Sequence, residues 1–458
     1  MPDYNAQLYV KMYSKLALAL GVTPREEDPQ IVEMIGGPLP RGGTGLPAIA
    51  GGDDPQSLLA VFNPGQYIPP NMDPVTKKDD RYALSVLFDA VPQFSWVYKP
   101  AASPVSNTYD SILKYKEAPI SNLTPEQKQK LEEADVIVNE YGGVYNQYEL
   151  AYYQALDAYD AAYATWVNGG PPIPRTTLLK LESAYQAWVG LGHKNAYESA
   201  IAVIGAYEGL EPQKFWKDLS TRYDRGTEYS GGNSSFQVVG MSPPYKTWFQ
   251  DTGWTEFTFT QNDMDNQRNS EAIGVSGNLD MTYGIFRVSG DGSFQQDSKY
   301  VKIDQTELNF SCKLMRITLD RGWMNPLVLS SRAWRWAKGT PVYGSKLSTG
   351  GDIFDDVAPT GNMTVIPTAA ILSKDLVVTG VLNKTQVEEF NREIAANASV
   401  GIGPFSIAGR FNMENHPGSE KGNIAANGIK APDIQIIAFI CALLPESPNP
   451  DSNLVWPS

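Results

Sequence analysis

The 458-residue chain is poor in the side chains that most often carry metal or covalent chemistry, with two cysteines, Cys312 and Cys441, and two histidines, His193 and His416. Two cysteines cannot build a disulfide framework. Without a Cys-x-x-Cys pair or a His cluster, nothing points to zinc, iron or thiol redox work, and the expectation is no cofactor and no metal. Both cysteines lie in apolar strand-like stretches, where burial raises the thiol pKa, so they read as structural. A Gly-x-Ser-x-Gly turn and a Walker loop are also missing, which removes the signatures of a serine hydrolase and of a nucleotide site. Bases are the minority, 37 Lys and Arg against 51 Asp and Glu for a net charge of −14. Such a balance repels phosphates and excludes nucleic acid as a partner. Long apolar runs are absent as well. The longest, residues 434–444, falls well short of the roughly 20 residues of a spanning helix. Residues 1–22 place an acid at Asp3 and bases as late as Lys15, unlike a signal peptide, so the protein is expected in the cytoplasm or released without a classical signal.

Glycine (40) and proline (33) are plentiful, and hydrophobic residues make up 42% of the chain. That is enough to fill two or three packed units with many short strands and turns. Leu8, Met12, Leu16 and Leu20 recur at i+4 and predict an amphipathic first helix. The rest of residues 1–108 reads as a Gly/Pro-rich irregular region, with short strands at 58–62, 82–91 and 94–98. Residues 109–223 read as a helical hairpin bundle. Thr124, Pro125 and Gln127 form a helix start, a break is expected at Gly142-Gly143, and Tyr145, Tyr148, Tyr152, Ala155, Tyr159, Ala162 and Trp166 then repeat in steps of three and four. The 169–174 loop reverses the chain, and Leu178, Leu181, Tyr185 and Trp188 supply the answering stripe. Two more helices follow near 196–207 and 212–223. From residue 224 the apolar period becomes two, marking a β-rich domain to the end. In it, residues 284–290 (GIFRVSG) match 403–409 (GPFSIAG), each followed by a Phe-x-Cys, which suggests a repeated hairpin. The expected class is α+β: a helical hairpin bundle with a C-terminal antiparallel β-sandwich or elongated sheet.

Two patterns carry functional expectations. Ile273, Val275, Gly277, Leu279, Met281, Tyr283 and Ile285 alternate with small polar residues over a length that crosses a bilayer as a tilted strand, and Phe405, Ile407, Phe411 and Met413 repeat the pattern more weakly. These are the membrane-insertion candidates, with an ordinary half-buried strand as the plain alternative. The second pattern is an aromatic and basic cluster, Trp323, Arg332, Trp334, Arg335 and Trp336, which suits a headgroup, glycan or protein surface unless the rings pack in a core. The acids Asp263/Asp265 and Asp352/Asp355/Asp356 read as solvated turn residues, since neither group supplies a calcium ligand series. The leading expectation is a non-enzymatic, membrane-active protein of the pore-forming-toxin type, a homo-oligomer that inserts β-hairpins and meets a membrane or a glycan receptor. The alternatives are a structural or self-assembling protein using edge strands, and a carbohydrate-binding or carbohydrate-active protein with an acidic pair.

Overall fold

A computed structural model describes residues 12, 15–16, 58–68, 80–94, 101, 103–120, 125–167, 171–207, 212–230, 234–260, 285–288, 294–296, 309–351, 358–379, 388, 399–402, 404–408, 423–425 and 428–457. The class is α+β. At the centre stands an antiparallel sheet of eight strands. The strands are β1 (Leu58–Tyr67), β5 (Gly240–Ser242), β6 (Thr255–Thr260), β9 (Asn309–Asp320), β11 (Val365–Thr379), β14 (Asn423–Ala425), β15 (Gly428–Ala431) and β16 (Gln435–Leu443). Two small ribbons also occur, β3 (Thr227–Ser230) with β4 (Ser234–Gln237), and β2 (Lys116–Glu117) with β10 (Arg335–Trp336).

Every residue of β16 is buried, as are the first ten of β11. A strand covered on both faces needs no polar alternation, which explains why residues 436–443 are apolar without a break. β16 lies between β11 and β1, the latter pairing from Leu58 opposite Ala442 to Tyr67 opposite Gln435. On its other side β11 meets β9, whose far edge carries β5 and β6. The sheet thus draws strands from both ends of the chain.

One face is covered by helix α1 (Asp80–Asp89), whose Leu84 and Phe88 pack with Trp248, Ile317 and Phe439. Residues 82–91 were expected as a strand. The i, i+4 spacing of Leu84 and Phe88 instead lays one helical stripe on the sheet, and tertiary burial decides the matter. The other face is covered by α2 (Val105–Tyr115) and the short α7 (Leu327–Ser330), with Tyr109, Ile112, Val328 and Leu329 against Ile366, Ala442 and Leu444. Of the first helix, Met12, Lys15 and Leu16 are described, all helical, with Met12 and Leu16 fully buried and Lys15 Nζ 5.9 Å above the Phe257 ring.

A second sheet contains β7 (Ile285–Val288), β8 (Phe294–Gln296), β12 (Ser399–Ile402) and β13 (Phe405–Ala408), in the order β13-β12-β7-β8. It packs on β1, β15 and β16 through β13. The two matched segments do share this sheet, but β7 is an inner strand and β13 an outer one, so they do not occupy equivalent positions. Cys312 and Cys441 lie on β9 and β16, the strands flanking β11.

The helical arm consists of α3 (Pro125–Val167), α4 (Arg175–Gly190) and α5 (Lys194–Tyr207). With 43 residues, α3 is about 65 Å long. Pro125 is its first residue, where the missing N–H costs nothing. The helix runs unbroken through Gly142-Gly143, where a break was expected, and the Tyr197 ring packs beside Gly142, 3.6 Å from where a Cβ would stand. Tyr152 meets Tyr185 and Trp188 and Tyr145 meets Trp188, so α4 returns antiparallel to α3, while Tyr141 and Tyr145 receive His193 and Tyr197 from the joint and the start of α5. Their joint is tight: a Cβ at Gly192 would meet the Trp188 carbonyl oxygen at 2.7 Å. α6 (Pro212–Arg225) leads back to the sheet and buries Trp216 and Leu219 in the aromatic core.

Candidate functional site

The Trp/Arg cluster does not form a surface. Trp323, Trp334 and Trp336 are each under 5% exposed, in one core with Trp216 and Tyr109. Each indole N–H is satisfied by a backbone carbonyl: Trp323 donates to Val238, Trp334 to Val328 and Trp336 to Ser345, at 2.8–2.9 Å. The recognition role expected of these three rings is therefore corrected, since a ring that buries its face and pairs its N–H has nothing left to offer a ligand. The arginines remain accessible. Arg332 is exposed, with Nε 3.4 Å from the Asn449 carbonyl. Arg335 is half-buried, bonded to Glu117 and lying 4.9 Å from the Trp456 ring centre, so it ties β10 to β2 and the C-terminal segment.

Of the insertion candidates, Ile273, Val275, Leu279, Met281, Tyr283, Phe411 and Met413 lie outside the described residues. Ile285 begins β7 opposite Ile402, and Ile407 belongs to β13. Phe405 is fully buried, so it does not face lipid in this conformation. The acids at 263, 265, 352, 355 and 356 also lie outside the described residues, as do His416, Phe411 and Met413.

What the structure brings together is the aromatic seam of the arm. Tyr145, Tyr152, Leu156, Leu181 and Trp188 are buried in one cluster, flanked by Tyr148, Tyr153, Tyr159 and Tyr197. Tyr145 stacks on Tyr197 at 4.1 Å, and Tyr152 on Trp188 at 5.3 Å. Lys194 Nζ stands 4.8 Å above Trp188 and forms an ion pair with Glu198 at 2.6 Å. The Tyr145 hydroxyl lies 3.1 Å from Glu198 Oε1 and 3.4 Å from Glu149 Oε1. Burial beside this seam, and then the negative charge of Asp320 at the end of β9, push the Glu149 carboxyl up to about 8. Burial and the same two glutamates hold the Tyr145 hydroxyl well above the usual phenol range. The seam was legible in the tyrosine spacing; Glu149 was not singled out, although it is the lone charged residue between 141 and 156. Glu198 comes from another helix, which no local pattern announces.

The outer side of the arm is apolar at intervals. Val136, Val144 and Leu150 on α3, Leu179 and Tyr185 on α4, and Leu191 at the joint make up half of the exposed large apolar side chains among the described residues. At about 100° per residue, the three on α3 fall within roughly a third of the helix circumference.

Elsewhere, buried polar groups hold the fold. Asp89 accepts from the backbone N–H and the hydroxyl of Ser106, and Arg321 donates to the Phe88 and Pro367 carbonyls, both at 2.7 Å. Burial raises the Cys312 thiol to about 12 and lifts Cys441 further, which leaves both inert as nucleophiles. Among the described residues no group of three or more His, Cys, Asp or Glu is placed to hold a metal ion, and no helix is long and apolar enough to cross a membrane. No family model matches the chain, and no curated protein or solved structure matches it either.

Proposed function

We propose that the protein is a non-enzymatic assembly protein whose helical arm associates with the arm of a second copy. The observation that carries this is the concentration of exposed apolar side chains on α3, α4 and their joint. A monomer gains nothing by wetting Val136, Val144, Leu150 and Leu191, and such faces mark association sites. The α3 face between 141 and 156 has almost no charge, so two copies pair there without burying an uncompensated ion. Sedimentation velocity tests it. The wild type should form a discrete oligomer as concentration rises, and Val144→Lys with Leu150→Lys should sediment as a monomer with unchanged helical circular dichroism. A wild type that stays monomeric throughout, or a variant that assembles equally well, overturns the reading.

A narrower version, a protomer that oligomerises and inserts β-hairpins into a bilayer, is supported by the second sheet. β7 with β8 and β12 with β13 are adjacent hairpins that pack on the main sheet through β13, so their release removes one layer and leaves the main sheet paired. Dye release from neutral and anionic liposomes, rising steeply with protein concentration and abolished by Met281→Asp with Tyr283→Asp in a folded variant, is the expected result. No release at any concentration removes this version and leaves assembly in water. Trp323, Trp334 and Trp336 offer no stacking platform for a carbohydrate, since all three are buried in the core.

A further inference from the structure

We propose that Glu149, Tyr145, Glu198 and Lys194 form a proton-operated clasp that holds α5 and the α4–α5 joint on α3 in mild acid and loosens them as the pH rises. The argument starts from proton counting. One hydroxyl, that of Tyr145, stands within reach of two carboxylates, at 3.1 Å from Glu198 and 3.4 Å from Glu149. A phenol has a single proton to donate. If both carboxylates are ionised, one faces the lone pairs of the Tyr145 oxygen with no hydrogen between them. If Glu149 is neutral, every contact closes: its O–H donates to the Tyr145 oxygen, the Tyr145 O–H donates to Glu198, and Glu198 accepts from Lys194 at 2.6 Å. The chain of donors then runs in one sense from α3 to α5 and ends on a cation, which itself lies over Trp188 at the end of α4.

The charged groups around Glu149 favour the neutral form. From α5 come Glu198 and Lys194, the latter engaged by Glu198; from β9 comes Asp320, whose neighbour Arg321 is committed to the Phe88 and Pro367 carbonyls. Tyr197 faces Glu149 from α5 and is itself near Arg222 of α6. On α3, Tyr153 lies close to Tyr145. β6 also packs against α3, but its Glu256 acts on Lys313. Burial and the two acids raise the carboxyl against the pull of the Tyr145 hydroxyl and of Lys194, and the balance pushes it up to about 8. A carboxyl raised in the closed arm stabilises it fully below the ordinary glutamate range. That contribution is lost as the pH rises from there through about 8, and the dependence levels off beyond. Below this window the clasp is shut; through it, the aromatic seam of Tyr145, Tyr152 and Trp188 becomes progressively easier to open. The clasp operates whether or not the arms associate.

Two measurements on the full-length protein test it. In infrared difference spectra at about pH 6.5, the wild type should show a protonated-carboxyl band that Glu149→Gln lacks, and the band should titrate away towards about pH 8 to 9. Tryptic cleavage after Lys194, the first residue of α5, should accelerate at least tenfold from about pH 5 to 8.5 in the wild type relative to Glu149→Gln, whose neutral amide keeps the arm closed throughout. No such band, or the same pH dependence of cleavage in both proteins, overturns the proposal. Should Glu149→Gln not fold, Glu198→Gln serves instead: removing a like charge should lower the midpoint of the band, and an unmoved midpoint rejects the clasp.

Discussion

Trp334→Ala should lower the stability of the protein by about 3–5 kcal/mol, seen as a fall in the urea midpoint at unchanged slope. The indole is fully buried, meets Trp336 edge to face at 4.9 Å and Trp216 at 6.4 Å, and donates to the Val328 carbonyl. Truncation opens a cavity the size of an indole between α6, α7 and β10 and leaves that carbonyl without its donor, two costs that add. Arg332→Ala, two residues away and exposed, should change stability by less than about 0.5 kcal/mol. The contrast separates a core role from surface recognition. Equal small effects at both positions would mean that Trp334 is not packed as described. Loss of glycan binding on Trp334→Ala would not mark a sugar site, because an unfolding core loses every activity alike.

Replacing Arg321 by Met should cost a similar amount, about 3–5 kcal/mol, by a different route. Its guanidinium is nearly fully buried, bonds the carbonyl that ends α1 and the Pro367 carbonyl in β11, and supplies the positive charge that favours ionised Asp89. The Asp89 carboxyl is already raised by burial, against the pull of Ser106 and Arg321. Without the arginine it rises further. A carboxyl raised in the folded state contributes stability below its unfolded pKa and loses it as pH climbs through the folded value, so the variant should be least stable, relative to wild type, at neutral and higher pH and recover in acid. Adding Asp89→Asn should restore part of the loss at neutral pH, by removing the orphaned charge. A single variant whose deficit is the same at all pH values would show that Asp89 and Arg321 are not coupled.

The helical half was the more legible part of this chain, and the reason is local. Steps of three and four at Tyr145, Tyr148, Tyr152 and Tyr159, the reversal before Arg175 and the stripe through Leu181 and Trp188 all report a helix face within a few residues of themselves. The sheet was legible as strands but not as a topology, because β1 finds its partner in β16 through contacts that leave no local trace. Residues 82–91 illustrate the limit: a short apolar run is compatible with either period, and burial of Leu84 and Phe88 on the sheet decides for the helix. The tryptophans misled for a related reason, since an arginine-rich aromatic segment looks the same whether its rings face solvent or a core. Arg335 and Glu117, paired across β10 and β2, show that even its charges serve structure.

The pairing of β1 with β16 also sets a timetable. During synthesis the β1 segment leaves the ribosome long before its partner exists, and at roughly 5–20 residues per second it waits tens of seconds. Contacts of such wide sequence separation slow folding and leave an apolar edge open in the meantime. The nascent chain is thus most vulnerable to mispairing in the interval when β9 and β11 have emerged and the strand that joins them to β1 has not.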